Sequence, residues 1–145
     1  MRLALQKAMA VAVRHPDAIV IGADTVVALG KQVWSKPESE KEARRMIGTL
    51  AGKTHDIWTG FAIIDTKKGR RSARAVKTRV TFRPLSPREV KAYVARGESL
   101  DGAGGYQLQE NGTVLLERIV GDYNTIIGLP LAAVLEELKK FGIRS

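Results

Sequence analysis

The sequence predicts an α/β fold: a mixed sheet that contains an antiparallel hairpin and is flanked by helices. Three observations carry that expectation. Segments with helical spacing alternate with short β-rich runs along the 145 residues, the pattern of layered α/β domains. Two helical segments open with capping boxes, Ser39 with Glu42 and Ser86 with Glu89, which mark where helices begin. Two β-rich runs, 57–64 and 73–82, flank a polar segment containing Gly69, so they read as an antiparallel pair and disfavour a purely parallel, doubly wound sheet.

The elements follow in order. Residues 2–13 are rich in Ala and Leu and read as a helix that His15 and Pro16 end, because the residue before a proline is pushed out of the α region. The apolar run 18–21 is broken by Gly22-Ala23-Asp24-Thr25 and resumes at Val26 and Val27, which reads as buried strand around a polar interruption. Leu29-Gly30-Lys31-Gln32-Val33 supplies a turn into a second short strand. After Ser39, the residues Ala43, Met46, Ile47 and Leu50 repeat at helical spacing, with Gly52 where a C-terminal cap belongs. The hairpin comes next, its tip carrying Lys67, Lys68, Arg70 and Arg71 as a solvated turn. Pro87 at the first helical position, with Val90, Tyr93 and Val94 on one face, predicts a third helix ending near Gly97. Glycines cluster from Gly97 to Gly112, residues 113–120 read as a strand, and Gly128-Leu129-Pro130 opens a last helix with Leu131, Val134, Leu135 and Leu138 on one face.

Composition bounds the rest. With 44% hydrophobic residues and no internal repeat or linker, residues 1–145 read as one domain with a true core. Twenty-four Lys and Arg against 15 Asp and Glu give a formal net charge of +9, which favours an anionic partner, whether polyphosphate, nucleic acid or acidic membrane. The absence of cysteine excludes a disulfide framework, a thiolate metal site and a cysteine nucleophile, and fits a cytoplasmic setting. The apolar stretches are short, and the first residues lack a secretory pattern, so no membrane span is expected.

A few residues stand out chemically. Asp24 lies between two apolar runs, where a carboxylate loses solvation unless it meets donors, a cation or a metal. It reads either as a metal ligand or general base, or as a turn residue bonding the Thr25 backbone. Lys7 has Leu3, Ala4, Ala10 and Val11 as helical neighbours, so its stem lies on a packed face and its ammonium either enters a cleft or snorkels to water. Lys36, in Ser35-Lys36-Pro37, is either an exposed loop charge or a phosphate contact. The segment Gly102-Ala103-Gly104-Gly105-Tyr106 lets backbone amides approach phosphate but lacks the spacing of a P-loop or dinucleotide fingerprint. Asp122 and Tyr123 follow Gly121 just after a strand and either reach a cleft or simply form a turn, and His15 and His55, without partners at metal-ligand spacing, read as structural.

The order of these pieces resembles the Maf family. The matching residues are Gly22-Ala23-Asp24-Thr25-Val26-Val27, Ser35-Lys36-Pro37, Leu50-Ala51-Gly52-Lys53-Thr54-His55, Thr59-Gly60 and Gly97-Glu98. They continue through Asp101, Ala103-Gly104-Gly105-Tyr106, Gln109, Gly121-Asp122-Tyr123 and Gly128-Leu129-Pro130-Leu131.

The resemblance implies a Maf/ITPase-like fold and hydrolysis of a nucleoside triphosphate between its α and β phosphates, releasing monophosphate and pyrophosphate, with a divalent cation such as Mg²⁺ or Mn²⁺. By the same resemblance the catalytic proton acceptor and metal ligand is Asp24, and Lys7 and Lys36 bind phosphate. Thr25 and Gln109 match the subgroup acting on dTTP and UTP. A homodimer is also implied, with no membrane partner and no specific nucleic-acid binding. Ser35 stands where the family usually has Gly, and Gly102 where it often has Lys.

Family members also carry a first strand ending in a Ser-x-x-Arg-Arg phosphate loop and a downstream glutamate, ahead of the helix that holds Lys7. These are not in the sequence, so weak or absent hydrolysis by this stretch is expected, together with an exposed sheet edge. Two other functions compete with an active enzyme. One is a nucleotide-binding but inactive regulator of septum formation, and the other is a nucleic-acid-binding module suggested by charge alone.

Overall fold

The structure is a computed structural model that describes residues 1–144. Its centre is a five-stranded sheet in the order β2-β1-β3-β4-β5, formed by β1 (Ile19–Leu29), β2 (Gln32–Trp34), β3 (Thr54–Asp65), β4 (Arg70–Phe82) and β5 (Leu116–Val120). All four neighbouring pairs are antiparallel. The helices are α1 (Arg2–Ala12), α2 (Glu40–Leu50), α3 (Pro87–Val94), α4 (Tyr123–Ile127) and α5 (Leu131–Lys140), with three short 3₁₀ turns between α3 and β5. The α/β class, the helices flanking the sheet and the antiparallel hairpin are as the sequence predicts, but among the described residues the sheet is antiparallel throughout and not mixed, because each neighbouring pair, β1 with β3 included, runs in opposite directions.

Strand alternation divides the core between the two faces of the sheet. On one face Val27, Ile57, Val80 and Phe82 pack with Ala43, Ile47 and Leu50 of α2 and with Val90, Tyr93 and Val94 of α3. Farther along the sheet, Phe61 and Ile63 meet Val134 of α5 and Phe141. The opposite face carries α1, where Ala4 and Ala8 sit on Val20 and Ala62. Gly22 makes that approach possible. A Cβ at this position would lie 2.5 Å from the Ala4 carbonyl oxygen and 2.7 Å from the Ala8 backbone nitrogen, so a side chain here would push α1 off the sheet.

The structure differs from the sequence reading in four further places. β1 runs unbroken through Gly22-Ala23-Asp24-Thr25, because its backbone pairs with β3 from Ile19 to Ala28 and holds the polar residues in the ladder. β3 and β4 extend beyond the expected runs, with paired ends at Asp65 and Arg70, which confines the hairpin tip to residues 66–69. The run expected as strand 113–120 begins as a 3₁₀ turn, Gly112–Leu115, and only Leu116–Val120 joins the sheet. Finally, α4 forms after Asp122, whose side chain accepts a hydrogen bond from the Asn124 backbone N–H, the usual work of an N-cap aspartate.

Candidate active site

A cavity opens along the edge of β1. β2 pairs with β1 only at Val27, Ala28 and Leu29, so on that side the stretch around Asp24 has no strand neighbour among the described residues. The cavity there has a volume of about 460 Å³ and is lined by Lys7, Asp24, Thr25, Lys36 and Gln109, together with Asp101, Tyr106, Gln107 and the end of α4. All five residues singled out from the sequence as site residues therefore meet in one place. The volume is in the range of pockets that hold small ligands.

Asp24 sits in mid-strand opposite Gly60, which excludes the turn-capping reading. Alternation sends its side chain to the face covered by α1, and Lys7 comes from α1 to meet it. Lys7 Nζ donates to Asp24 Oδ1 at 2.6 Å and to the Ala23 carbonyl oxygen at 3.4 Å. The carboxylate is 20% exposed and the lysine side chain 56%, so the pair lies at the mouth of the cleft and not in the core. Of the two directions open to Lys7, the structure shows the one that enters the cleft. The close seat of α1 on Gly22 holds the two groups within reach.

Thr25, one residue on, faces the other side of the sheet. Its hydroxyl lies 2.8 Å from that of Thr59, its cross-strand partner. Lys36 is exposed and forms no salt bridge among the described residues, yet its loop is tethered. Pro37 is buried, and the Ser35 carbonyl accepts the Gly104 N–H at 3.1 Å. Gly104 has φ +72° and its Cβ position would lie 2.8 Å from Val27, so only glycine lets the segment 102–106 lie this close to β1. The segment brings Tyr106 to the wall.

Gln109 is oriented by a chain of amides. Gln107 Nε2 donates to the Glu98 carbonyl oxygen at 3.1 Å, and Gln109 Nε2 donates to Gln107 Oε1 at 3.2 Å. Because Glu98 O can only accept, the order of donors along this chain is determined.

His55, expected to be structural, lies under the wall. Its Nε2 is 2.9 Å from the Tyr106 hydroxyl, and its ring meets Phe82 edge-on at 5.0 Å. Burial lowers its pKa to about 4, with the Asp56 charge opposing that shift, so the ring is neutral near pH 7. Asp122 caps α4 and does not line the cavity. No group of three or more His, Cys, Asp or Glu side chains that could hold a metal ion forms among the described residues. No helix among them is long and apolar enough to cross a membrane.

Residues 1–141 match the family described as Maf-like protein. The chain belongs to this family. A dTTP/UTP pyrophosphatase of Moorella thermoacetica is 46% identical over 141 residues, covering 97% of this chain and 73% of the relative. The dTTP/UTP pyrophosphatases of Bacillus cereus and of Bacillus thuringiensis subsp. konkukian are each 46% identical over 143 residues, covering 99% of this chain and 74% of the relative.

In this Maf-like chain, sequence reasoning singled out the segment 102–106, of which Gly102, Ala103 and Tyr106 line the cavity, but gave no place in the cavity or its support to Thr59 and Gln107. Thr59 did leave a signal: it is a hydroxyl at an inward position of β3, in register with Ile57, Phe61 and Ile63. Gln107 left none, since its role depends on a carbonyl that only the fold brings near.

Proposed function

We propose that this protein hydrolyses nucleoside triphosphates to the monophosphate and pyrophosphate, with dTTP and UTP as preferred substrates. The observation that carries the reading is the convergence of Lys7, Asp24, Thr25, Lys36 and Gln109 on one cavity; the likeness to relatives named dTTP/UTP pyrophosphatase supports it.

The chemistry follows from the groups present. Water attacks the α phosphorus, a new O–P bond forms, the bond to the bridging oxygen breaks, and pyrophosphate leaves with the electron pair. Asp24 is the acceptor for the proton that the water loses. Lys7 and Lys36 offset the charge of the phosphates, which is most concentrated as the bridging bond breaks. An arriving polyphosphate competes with Asp24 for Lys7, whose bond at 2.6 Å then opens and leaves the carboxylate free to accept. Thr25 and Gln109 contact the base.

The residues fit a divalent cation in one mode. Asp24 is a hard oxygen ligand, and without a three-residue cage among the described residues the ion would share one or two protein carboxylates with substrate oxygens and water, as Mg²⁺ commonly does. Such an ion would neutralise phosphate charge and acidify the attacking water. The reading further takes the protein to be cytoplasmic and to work as a homodimer, which sedimentation tests.

The decisive experiment incubates the protein with dTTP, UTP, CTP, dATP and dGTP in Mg²⁺ or Mn²⁺ and identifies products. Monophosphate and pyrophosphate, formed fastest from dTTP and UTP and abolished by chelation, are expected. Diphosphate and orthophosphate as products would overturn the cleavage site. Equal rates across the panel would overturn the base preference, and tight binding without turnover would favour an inactive nucleotide-binding regulator.

A further inference from the structure

Behind Thr25 the hydroxyls form a directed chain. Thr59 is fully buried, and its Oγ1 donates to the Thr125 carbonyl oxygen of α4 at 2.6 Å while lying 2.8 Å from Thr25 Oγ1. A threonine hydroxyl has one proton, and a carbonyl has none to give. The Thr59 proton is therefore spent on Thr125, and the contact between the two threonines is made by the Thr25 proton. The end of α4 keeps this arrangement in place. The N–H groups of Gly128 and Leu129 both go to the Asn124 carbonyl, so the Thr125 carbonyl takes its bond from Thr59, as helix C-termini require of some outside donor.

We infer that Thr59 is a positioning residue for base selection: by taking the Thr25 proton it makes Thr25 an acceptor only, so the cavity favours a nucleobase that presents an N–H there. The inference rests on the cavity being a nucleotide site, and it gives that site a chemical criterion. Uracil and thymine carry an imide N–H at N3, whereas cytosine carries an acceptor at the same ring position. An acceptor set against an acceptor leaves both without a partner after losing water, which selects against cytosine and does more than reward uracil.

Three substrates and two variants test it. UTP, CTP and 3-methyluridine triphosphate, in which a methyl group replaces the N3 hydrogen, are compared by kcat/KM on the wild-type protein, on Thr59→Val and on Thr59→Ser. Wild type should favour UTP over both others. Thr59→Val frees the Thr25 proton to face the cytosine acceptor, so the CTP-to-UTP ratio should rise about tenfold, the worth of one hydrogen bond. Thr59→Ser keeps the chain and should keep the wild-type ratio. A purely structural Thr59 would lower all three substrates together, and an unchanged ratio in Thr59→Val overturns the inference. The wild-type comparison needs no variant to fold: equal use of UTP and 3-methyluridine triphosphate also overturns it while leaving the nucleotide reading standing. Absence of both turnover and binding with every nucleotide overturns both.

Discussion

Replacing Lys7 by methionine removes the ammonium and keeps an unbranched apolar stem, so charge is tested apart from packing. The salt bridge to Asp24 is short, at 2.6 Å, but the lysine side chain is 56% exposed and the carboxylate 20%. Solvent screening at that exposure limits the stability contribution to about 1 kcal/mol or less. For a domain of this size that is a fall in Tm of about 4 °C at most. The effect on catalysis is of another order. A preorganised charge aimed at the phosphates is worth roughly 10²–10³ in rate when removed. Lys7→Met should therefore unfold almost where the wild type does, yet lose about a hundredfold or more in kcat/KM for UTP. Differential scanning calorimetry and pyrophosphate release measure the two quantities, and affinity for a non-hydrolysable α,β-methylene analogue of UTP reports the phosphate contact independently of turnover. A fall in Tm beyond about 8 °C with unchanged analogue affinity would show that Lys7 serves packing, and the phosphate role would be refuted.

Asp24→Asn keeps the shape and can still accept a hydrogen bond from Lys7, but it cannot take a proton. Turnover should fall by at least about 10² with little change in thermal stability, and wild-type rates in a folded Asp24→Asn protein would end the proton-acceptor assignment. Two glycines should respond oppositely to alanine. Gly22→Ala places a methyl group 2.5 Å from the Ala4 carbonyl oxygen and should cost about 1–3 kcal/mol while weakening nucleotide binding, whereas Gly48→Ala, in α2 with nothing within 4 Å, should stabilise by roughly 0.5–1 kcal/mol; urea midpoints compare them. His55 supplies a pH test. Its folded pKa of about 4 lies below the unfolded value of 6.5, so the unfolded chain binds the extra proton between those values. The stability linked to this group is full above pH 6.5 and lost as pH falls toward 4, a change on the order of 3 kcal/mol. His55→Gln should flatten that part of the urea-midpoint profile relative to wild type, and an identical profile would contradict the burial argument.

What the sequence disclosed divides along the range of the interactions involved. α2 and α3 were legible because their start signals are local: Ser39 accepts the Glu42 N–H, and Ser86 and Glu89 close a full capping box. The hairpin was legible for the same reason, two β-rich runs and a short connection. The continuity of β1 was not. Asp24 resembles a turn residue in its own neighbourhood, and only pairing with β3 and the arrival of Lys7 from α1 make it tolerable inside a strand. The direction of Lys7 was likewise undetermined by helical spacing, since it depends on how closely α1 approaches Gly22. The segment 102–106 carries too little side chain to show a period, and its place is set by Ser35 and Val27, far away in the chain.

The net charge of +9 acts at a different range from the cavity, and the two should not be credited with the same effect. Much of the basic surface is already engaged. Lys77 and Arg79 share Asp56, while Arg74 and Lys140 both reach Glu137. What remains is a diffuse positive field, which draws in any polyanion and fades over a Debye length of about 8 Å at physiological ionic strength. Such a field treats UTP, CTP and a strand of nucleic acid alike, because it senses only their charge. Distinguishing among them takes groups whose donor or acceptor character is settled before the ligand arrives. In this molecule that is the property of Thr25, whose only proton is held by Thr59, and of Gln109, whose amide is turned by Gln107. Neither residue carries charge, so charge counting from the sequence could not have found the pair on which the proposed base selection rests.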